Sequence, residues 1–317
     1  MLEIFIVIIP LFLIIFGSAI IARIKKLDEN WEKVLNSFAL NVGLPALIFS
    51  SLAKVSFKGQ VDIIIANSLF LLLSFALIYI LSKNFKISRK TIKTLFICFA
   101  FGNIAYLGIP VLTQIYGAKI LPNASLIVGV HLFWLFTIGL GFLDYDLTSR
   151  QSWIGKLFHK KNKQAIIKHI GFNLLKNPLL ISIFLGLLVA IADIRLPRLI
   201  ATTIDMLAAS VSPVVLVVIG LFIGNSQIGK LKEWIPIFIF SIITLLVLPG
   251  AFYLGLKIFA TDLSKYIPSM IEIAMPLAIT PFALADKFDL DKKFIARAIV
   301  LSTILSIITI PIWASIL

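Results

Sequence analysis

Apolar residues run along this chain in long uninterrupted stretches, separated by short polar and charged segments. The first stretch, IFIVIIPLFLIIFGSAII, does not alternate between apolar and polar positions, so it does not fit a barrel strand. A helix of about 18 or more apolar residues crosses roughly 30 Å of hydrocarbon. The pattern therefore predicts an all-α membrane protein, because lipid obliges the backbone to satisfy its own hydrogen bonds.

Stretches of this length recur ten times between loop-forming residues, and we number these predicted spans 1 to 10. In the first half they lie at about residues 4–22, 34–53, 61–82, 92–116 and 122–143. In the second half they lie at about residues 177–194, 199–224, 234–257, 266–286 and 294–316. The opening stretch lacks a basic segment and a cleavage site, so we interpret it as span 1 and not as a signal peptide.

A polar connection at residues 148–176 separates two halves of five spans each, residues 1–147 and 177–317. Because five is an odd number, the second half is expected to have the opposite orientation in the membrane. Shifting the chain by about 171 residues aligns spans 4 and 5 with spans 9 and 10, and it brings Pro110 onto Pro281. The chain is therefore predicted to contain two inverted five-helix repeats.

The connection itself carries a short amphipathic pattern. Ile166, Ile170 and Leu174 follow each other at helical spacing, and Lys163 and Lys168 lie off that stripe. A helix lying on the cytoplasmic membrane surface fits this pattern, and a solvated linker fits it equally well.

Composition agrees with a membrane protein and changes the interpretation of the charge. Hydrophobic residues make up 60% of the 317 residues, above the roughly half that is usual in soluble domains. The net charge of +14 would suggest a nucleic-acid partner in a soluble protein. Here the basic residues lie between the spans, which is typical of cytoplasmic loops. We therefore expect a lipid bilayer and no nucleic acid as a partner.

Spans 4 and 9 differ from their neighbours because helix-breaking and polar residues interrupt them near the middle. Such interrupted spans, in corresponding places of two repeats, form the substrate and ion site of many transporters. Unwound backbone at that depth is tolerated where it is buried in protein or lines a cavity. The candidate substrate-binding residues are Gly102, Asn103, Tyr106, Gly108 and Pro110 in span 4, and Pro276, Thr280 and Pro281 in span 9.

A second pair of spans carries weaker signals of the same kind. Asn41 and Pro45 lie in span 2, and Ser212 and Pro213 lie roughly one repeat later in span 7. These four residues are further candidates for the substrate site. Small residues and prolines also serve close contact between membrane helices, and the sequence leaves both interpretations open.

Two ionisable residues deep in the spans are candidates for ion coupling. Glu272 precedes Pro276 by about one helical turn, and it could bind a driving proton or sodium ion or face an aqueous vestibule. His131 in span 5 could titrate near neutral pH or bond to a neighbouring helix. The sequence contains no ATP-binding loop, metal-ligand spacing or nucleophile elbow, so we expect no cofactor, no metal site and no enzyme activity.

Five segments resemble the auxin efflux carrier family, in particular its bacterial malate-permease-like members. They are NVGLPALIFSSLA in span 2, FGNIAYLGIPVL in span 4, KNPLLISIFLGLLVA in span 6, AMPLAITPFALADKF in span 9 and LSTILSIITIPIW in span 10. The resemblance implies a fold similar to sodium/proton antiporters and bile-acid symporters, with crossed broken helices. It also implies a scaffold of spans 1, 2, 6 and 7, a mobile part of spans 3 to 5 and 8 to 10, and a homodimer through the scaffold.

The same resemblance implies organic-anion substrates, with Asn103 contacting the substrate carboxylate. We therefore expect a secondary active transporter for a small organic anion, multi-pass in the cell (inner) membrane. The alternatives are a passive channel or facilitator, or a membrane sensor. A continuous polar stripe along several helices would favour a channel. The sequence has only isolated polar residues beside the breaks.

The charge distribution predicts the orientation of the chain, because 22 of the 29 lysine and arginine residues follow odd-numbered spans. Both termini should therefore lie outside and the 148–176 connection in the cytoplasm. In a Cys98→Ala background, Ser315→Cys should react with an impermeant thiol reagent on intact cells, and Lys161→Cys should react only after the cells are opened. The opposite labelling pattern would refute this orientation.

Overall fold

The computed structural model describes residues 1–25, 29–54, 60–84, 87–139, 142–143, 176–226, 231–260 and 262–316. These residues are almost entirely helical, and their only β-bridge joins Gly102 to Leu277. The stripe of Ile166, Ile170 and Leu174, like nearly all of the 148–176 connection, lies outside the described residues. The described part therefore confirms the all-α class.

Seven helices in the described part are long and apolar enough to cross a membrane. They are α1 (Leu2–Lys25), α2 (Asn30–Leu52), α3 (Val61–Asn84), α6 (Ala118–Gly139), α8 (Arg198–Asn225), α9 (Ile235–Phe259) and α12 (Lys292–Ile316). The other three predicted spans are a shorter apolar helix and two interrupted ones. These are α7 (Pro178–Ile191), α4 with α5 (Arg89–Ala100 and Ile104–Tyr116), and α10 with α11 (Ile267–Ile273 and Thr280–Phe288). Ten crossings and inverted repeats stay predictions.

Prolines within three of these helices follow a widened π turn instead of breaking the helix. Proline lacks an N–H, and its ring clashes with the carbonyl four residues back. In a π turn the N–H bonds to the carbonyl five residues back instead of four, and the wider turn makes room for the proline ring. The three pairs are Ala39–Gly43 with Pro45, Ile104–Gly108 with Pro110, and Ile243–Val247 with Pro249. Pro110 therefore does not interrupt span 4, and the interruption lies earlier in the chain.

Helices α1 and α8 pack with their backbones in close contact. A Cβ atom added to Gly220 would lie 2.3 Å from the carbonyl oxygen of Ile15. One added to Gly224 would lie 2.5 Å from the carbonyl oxygen of Ala19. Apolar burial drives helix association only weakly in lipid, so helices associate largely through van der Waals contact between small residues. The two glycines, one turn apart, therefore hold α1 against α8.

Salt bridges tie spans 3 and 4 to the two ends of span 9. Lys265, just before α10, lies 2.5 Å from Asp62 at the start of α3. Lys90, at the start of α4, lies 2.9 Å from Asp289 at the end of α11. Both pairs lie at the solvent-accessible ends of these helices, where water screens the attraction, so they contribute little to stability.

The contact between α1 and α8 makes Gly220 sensitive to substitution. Gly220→Ala should force the two helices apart and cost about 1–3 kcal/mol, because its Cβ overlaps the Ile15 carbonyl. Gly255→Ala on α9 is the matched control, since no atom lies within 4 Å of its added Cβ. We expect a lower melting temperature for the first variant only. Equal melting temperatures for the two variants would contradict this contact.

Candidate functional site

The two interrupted spans cross each other at their breaks. The break of span 4 lies at residues 101–103, and that of span 9 lies at residues 274–279. The N–H of Asn103 donates to the carbonyl of Pro276 at 2.7 Å, and the N–H of Ala278 donates to the carbonyl of Phe101 at 2.9 Å. The prediction that the two breaks meet is therefore confirmed. The crossing is centred on Gly102 and Leu277, not on the region of Pro110.

Side chains and adjoining turns supply hydrogen-bond partners for further backbone groups at the two breaks. The carbonyl of Asn103 accepts from the N–H groups of Leu107 and Gly108, each at 3.0 Å. The N–H of Leu277 donates to the hydroxyl of Ser302 on α12 at 3.1 Å. Unpaired backbone groups are costly away from water, so these bonds make the breaks tolerable within an apolar fold.

A cavity of about 120 Å³ lies at the N-terminal ends of the two later half-helices, and we call it the Asn103 cavity. Asn103 to Tyr106 line it at the start of α5, and Ala278 to Thr280 line it at the start of α11. The opposite wall comes from Asn36, Leu40 and Leu44 on α2 and from Leu179 on α7. The cavity therefore lies between the crossing and the spans that the resemblance assigns to the scaffold.

Asn103 presents an unused hydrogen-bond donor in this cavity. The residue is only 3% exposed, and its side-chain Nδ2 has no hydrogen-bond partner in the described structure. Its backbone N–H and carbonyl are both used at the crossing. A buried amide left without a partner costs on the order of 1–3 kcal/mol, so a bound ligand that accepts from it would gain that free energy.

Tyr106 connects the broken span to α2 beside the same cavity. Its hydroxyl donates a hydrogen bond to the side-chain oxygen of Asn36. Thr280 opens α11, lines the cavity and is exposed. Pro281 lies in the first turn of α11, where a missing N–H costs nothing. Four of the predicted site residues, Gly102, Asn103, Tyr106 and Thr280, thus line one cavity.

A second, smaller cavity of about 30 Å³ lies where the two earlier half-helices end, and we call it the Glu272 cavity. Cys98 to Ala100 of α4 and Glu272 and Ile273 of α10 line it. Glu272 is fully buried, and neither of its carboxyl oxygens has a hydrogen-bond partner among the described residues. It does not face an open vestibule here. A Cβ on Gly108 would lie 3.5 Å from the Cγ of Glu272, so Gly108 leaves little spare space beside this side chain.

His131 lines both cavities and bonds to a polar network between helices. Its Nε2 lies 3.3 Å from the side-chain oxygen of Asn67 on α3. The amide nitrogen of Asn67 donates to the hydroxyl of Ser269 at 2.8 Å, one turn before Glu272 on α10. Sequence reasoning missed Asn67, although an amide within the apolar run IIIANSLFLLL was a signal that could have identified it.

The four candidates from spans 2 and 7 do not line either cavity. Asn41 is exposed, and its Nδ2 donates to the carbonyl of Ser37 at 2.9 Å. Gly43, between Asn41 and Pro45, would place a Cβ 3.0 Å from the Cγ2 of Val211. This contact next to Ser212 and Pro213 favours the alternative of close helix packing. The π turn before Pro45 presents Leu40 and Leu44 to the Asn103 cavity instead.

The described part of the chain contains no group of three or more His, Cys, Asp or Glu side chains that could hold a metal ion. Its polar side chains instead surround a crossing of broken helices within a set of apolar, membrane-capable helices. This architecture defines a polytopic helical membrane protein of the transporter class.

The family model described as membrane transport protein matches residues 3–314, so the chain belongs to this family, that of the auxin efflux carriers. It is similar to an uncharacterised transporter of Methanocaldococcus jannaschii, with 26% identity over 98% of each chain. It is also similar to an uncharacterised transporter of Methanothermobacter thermautotrophicus, with 25% identity over 92% of this chain and 91% of the relative. The family resemblance is confirmed, and the chain is a membrane transporter and not an enzyme.

Proposed function

We propose that this protein is a secondary active transporter that binds a small organic anion, such as a carboxylate, in the Asn103 cavity. The observation that carries the proposal is the convergence of three hydrogen-bond donor groups on one cavity. These are the N-terminal ends of α5 and α11 and the unpartnered Nδ2 of the buried Asn103.

The electrostatics of this cavity favour an anion. The first N–H groups of a helix have no partner within the helix, and its N-terminus carries roughly half a positive charge. Two such ends line the cavity, and no lysine or arginine is among the described residues that line it. Helix ends and one amide would therefore replace the water that a carboxylate loses on binding. The volume of about 120 Å³ favours a small ligand.

The helix ends around the Glu272 cavity carry partial charges of the opposite sign to those around the Asn103 cavity. This supports a coupling role for Glu272. The C-terminal ends of α4 and α10 border it, and helix C-termini carry partial negative charge. A carboxylate without partners in such a place is costly to bury in its charged form. Proton binding removes this cost, and sodium binding offsets it.

The two cavities share a thin wall, formed by Phe101 and Gly102 with His131 and Ile104 beside it. A charged Glu272 would repel an anion on the other side of this wall, because little water lies between them to screen the charges. Protonation of Glu272 would remove that repulsion. We therefore propose that the anion and a proton bind together, which couples substrate movement to a proton gradient.

The walls of the Asn103 cavity fit an alternating-access movement around the crossing. Asn36, Leu40, Leu44 and Leu179 lie on helices that the resemblance assigns to the scaffold, and the other lining residues lie on the mobile part. A shift of one part against the other would break the Tyr106 contact with Asn36 and open the cavity to one side. The homodimer through the scaffold, the cell (inner) membrane and the outward termini belong to the same proposal.

Asn103 should contribute directly to substrate affinity. Loss of a hydrogen bond to a charged group costs about 1.5–3 kcal/mol, so Asn103→Ala should weaken binding roughly ten- to a hundredfold. Asn103→Asp should weaken it more, because it opposes one negative charge to another. Affinity and melting temperature should be measured on the same purified variants, with a panel of mono- and dicarboxylates.

Asn41→Ala provides the matched control, because it removes an exposed amide outside the cavity. We expect it to leave affinity unchanged. If Asn103→Ala retained normal affinity and lost only thermal stability, Asn103 would have a structural role at the crossing and the proposed binding mode would be wrong.

Glu272 should couple transport to the proton gradient. Glu272→Gln keeps the shape of a neutral carboxyl group but cannot release a proton, so it should retain substrate exchange and lose accumulation driven by a pH gradient. Uptake into proteoliposomes under imposed proton or sodium gradients measures both properties. Exposed Glu3→Gln is the control. Undiminished pH-driven accumulation by Glu272→Gln would remove Glu272 from the coupling mechanism, and accumulation by the wild type under a sodium gradient alone would assign the coupling to sodium.

A further inference from the structure

A further cavity lies away from the crossing, in a groove between α1, the end of α8 and α12. Its volume is about 480 Å³. Phe16, Ile20 and Arg23 of α1 form one wall, and Arg297 and Ile304 of α12 form the other. The function proposed above uses none of these side chains.

The groove is charged at one end and apolar along the rest. Arg23 lies about two turns, or roughly 10 Å, beyond Phe16 on α1, and Arg297 lies the same distance before Ile304 on α12. Both arginines and Trp234 line the groove. The charge bias predicts that this end faces the cytoplasm, where tryptophan and basic residues lie at the level of lipid headgroups. The groove therefore has the polarity of an amphiphile standing in the inner leaflet.

The arginines are held in place by protein contacts that leave donors available. Arg23 donates its Nε–H to the carbonyl of Gly224 at 3.3 Å, in the last turn of α8. This bond uses one of the five N–H groups of the guanidinium. Arg297 forms a salt bridge with Glu233, and its side chain is 13% exposed. Among the described side chains at this end of the groove, two arginines against one glutamate leave a net positive charge.

The apolar end opens sideways, towards the region that lipid occupies. Ile20 is 57% exposed and Ile304 is 41% exposed, although both line the groove. A free phosphate or a soluble carboxylate would leave this apolar length unfilled. An acyl chain fills this length, but every lipid of the bilayer has such chains, so the contacts of the headgroup select the occupant.

We propose that this groove is a binding site for an anionic phospholipid, whose phosphate contacts Arg23 and Arg297 and whose acyl chain lies between Phe16, Ile20 and Ile304. Basic pockets between membrane helices on the cytoplasmic side bind anionic headgroups. A zwitterionic lipid offers the same chains without the net negative charge, so charge complementarity sets the preference.

The position of the site gives the lipid a further role, which rests on the proposed function. The resemblance assigns α1 and α8 to the scaffold and α12 to the mobile part, so the lipid bridges the two. A lipid that binds one arrangement of these parts better than the other shifts the equilibrium towards that arrangement.

Lipid binding can be measured without transport, so its outcome is independent of the proposed function. Purified protein is exchanged into nanodiscs of dioleoyl phosphatidylcholine with or without dioleoyl phosphatidylglycerol, and retained lipid is counted by native mass spectrometry. Melting temperature is measured in parallel, with inorganic phosphate added in a separate arm. We expect preferential retention of phosphatidylglycerol and a raised melting temperature in its presence.

Two variants test the site and leave the Arg297 salt bridge with Glu233 intact. Arg23→Gln should lower phosphatidylglycerol retention about fivefold, since one basic residue contributes roughly that factor near an anionic headgroup. Ile304→Trp should lower it by filling the groove. Arg198→Gln, at an exposed arginine at the start of α8, should not change it. Equal retention of the two lipids, unchanged retention in both variants, or equal stabilisation by inorganic phosphate would each overturn the proposal.

Discussion

Two backbone hydrogen bonds at the crossing of the broken spans are the contact on which the rest of the arrangement depends. They join Asn103 to Pro276 and Phe101 to Ala278. Lipid provides no partners for unwound backbone, so each break supplies the donors and acceptors that the other lacks. Because the two breaks satisfy each other, neither span can interrupt its helix alone without leaving peptide groups unpaired.

The crossing also sorts the half-helix ends by the sign of their partial charge. The N-terminal ends of α5 and α11 line the Asn103 cavity, and the C-terminal ends of α4 and α10 border the Glu272 cavity. An anion and a proton would thus have separate sites on either side of a shared wall. The proposed coupling follows from the short distance between two charges in a region of low dielectric constant. It requires no charged side chain in the anion site itself.

Helix packing around the crossing relies on small residues and on π turns. Gly220 and Gly224 let α8 touch the backbone of α1, while π turns admit Pro45 and Pro110 without interrupting their helices. The sequence pattern identified these prolines correctly as special positions, but it wrongly expected Pro110 to interrupt its helix. A proline breaks a helix or is accommodated by it according to the turn before it, and local composition does not reveal which will occur. For this reason the break of span 4 was expected to extend from Asn103 to Pro110, and it lies at residues 101–103.

The sequence by itself determined the membrane class, the helical character, the family and the pairing of spans 4 and 9, because length, apolarity and backbone breakers are properties of local sequence. It also singled out Asn103 and Glu272, since a polar side chain within an apolar span is conspicuous. Only the tertiary structure decided which polar residues share a cavity. Ser302 on α12 reaches the backbone of the crossing, and Asn67 on α3 bonds to Ser269 on α10, while Asn41 turns away from the crossing. Contact depends on the rotation and crossing of whole helices, and no single segment contains that information.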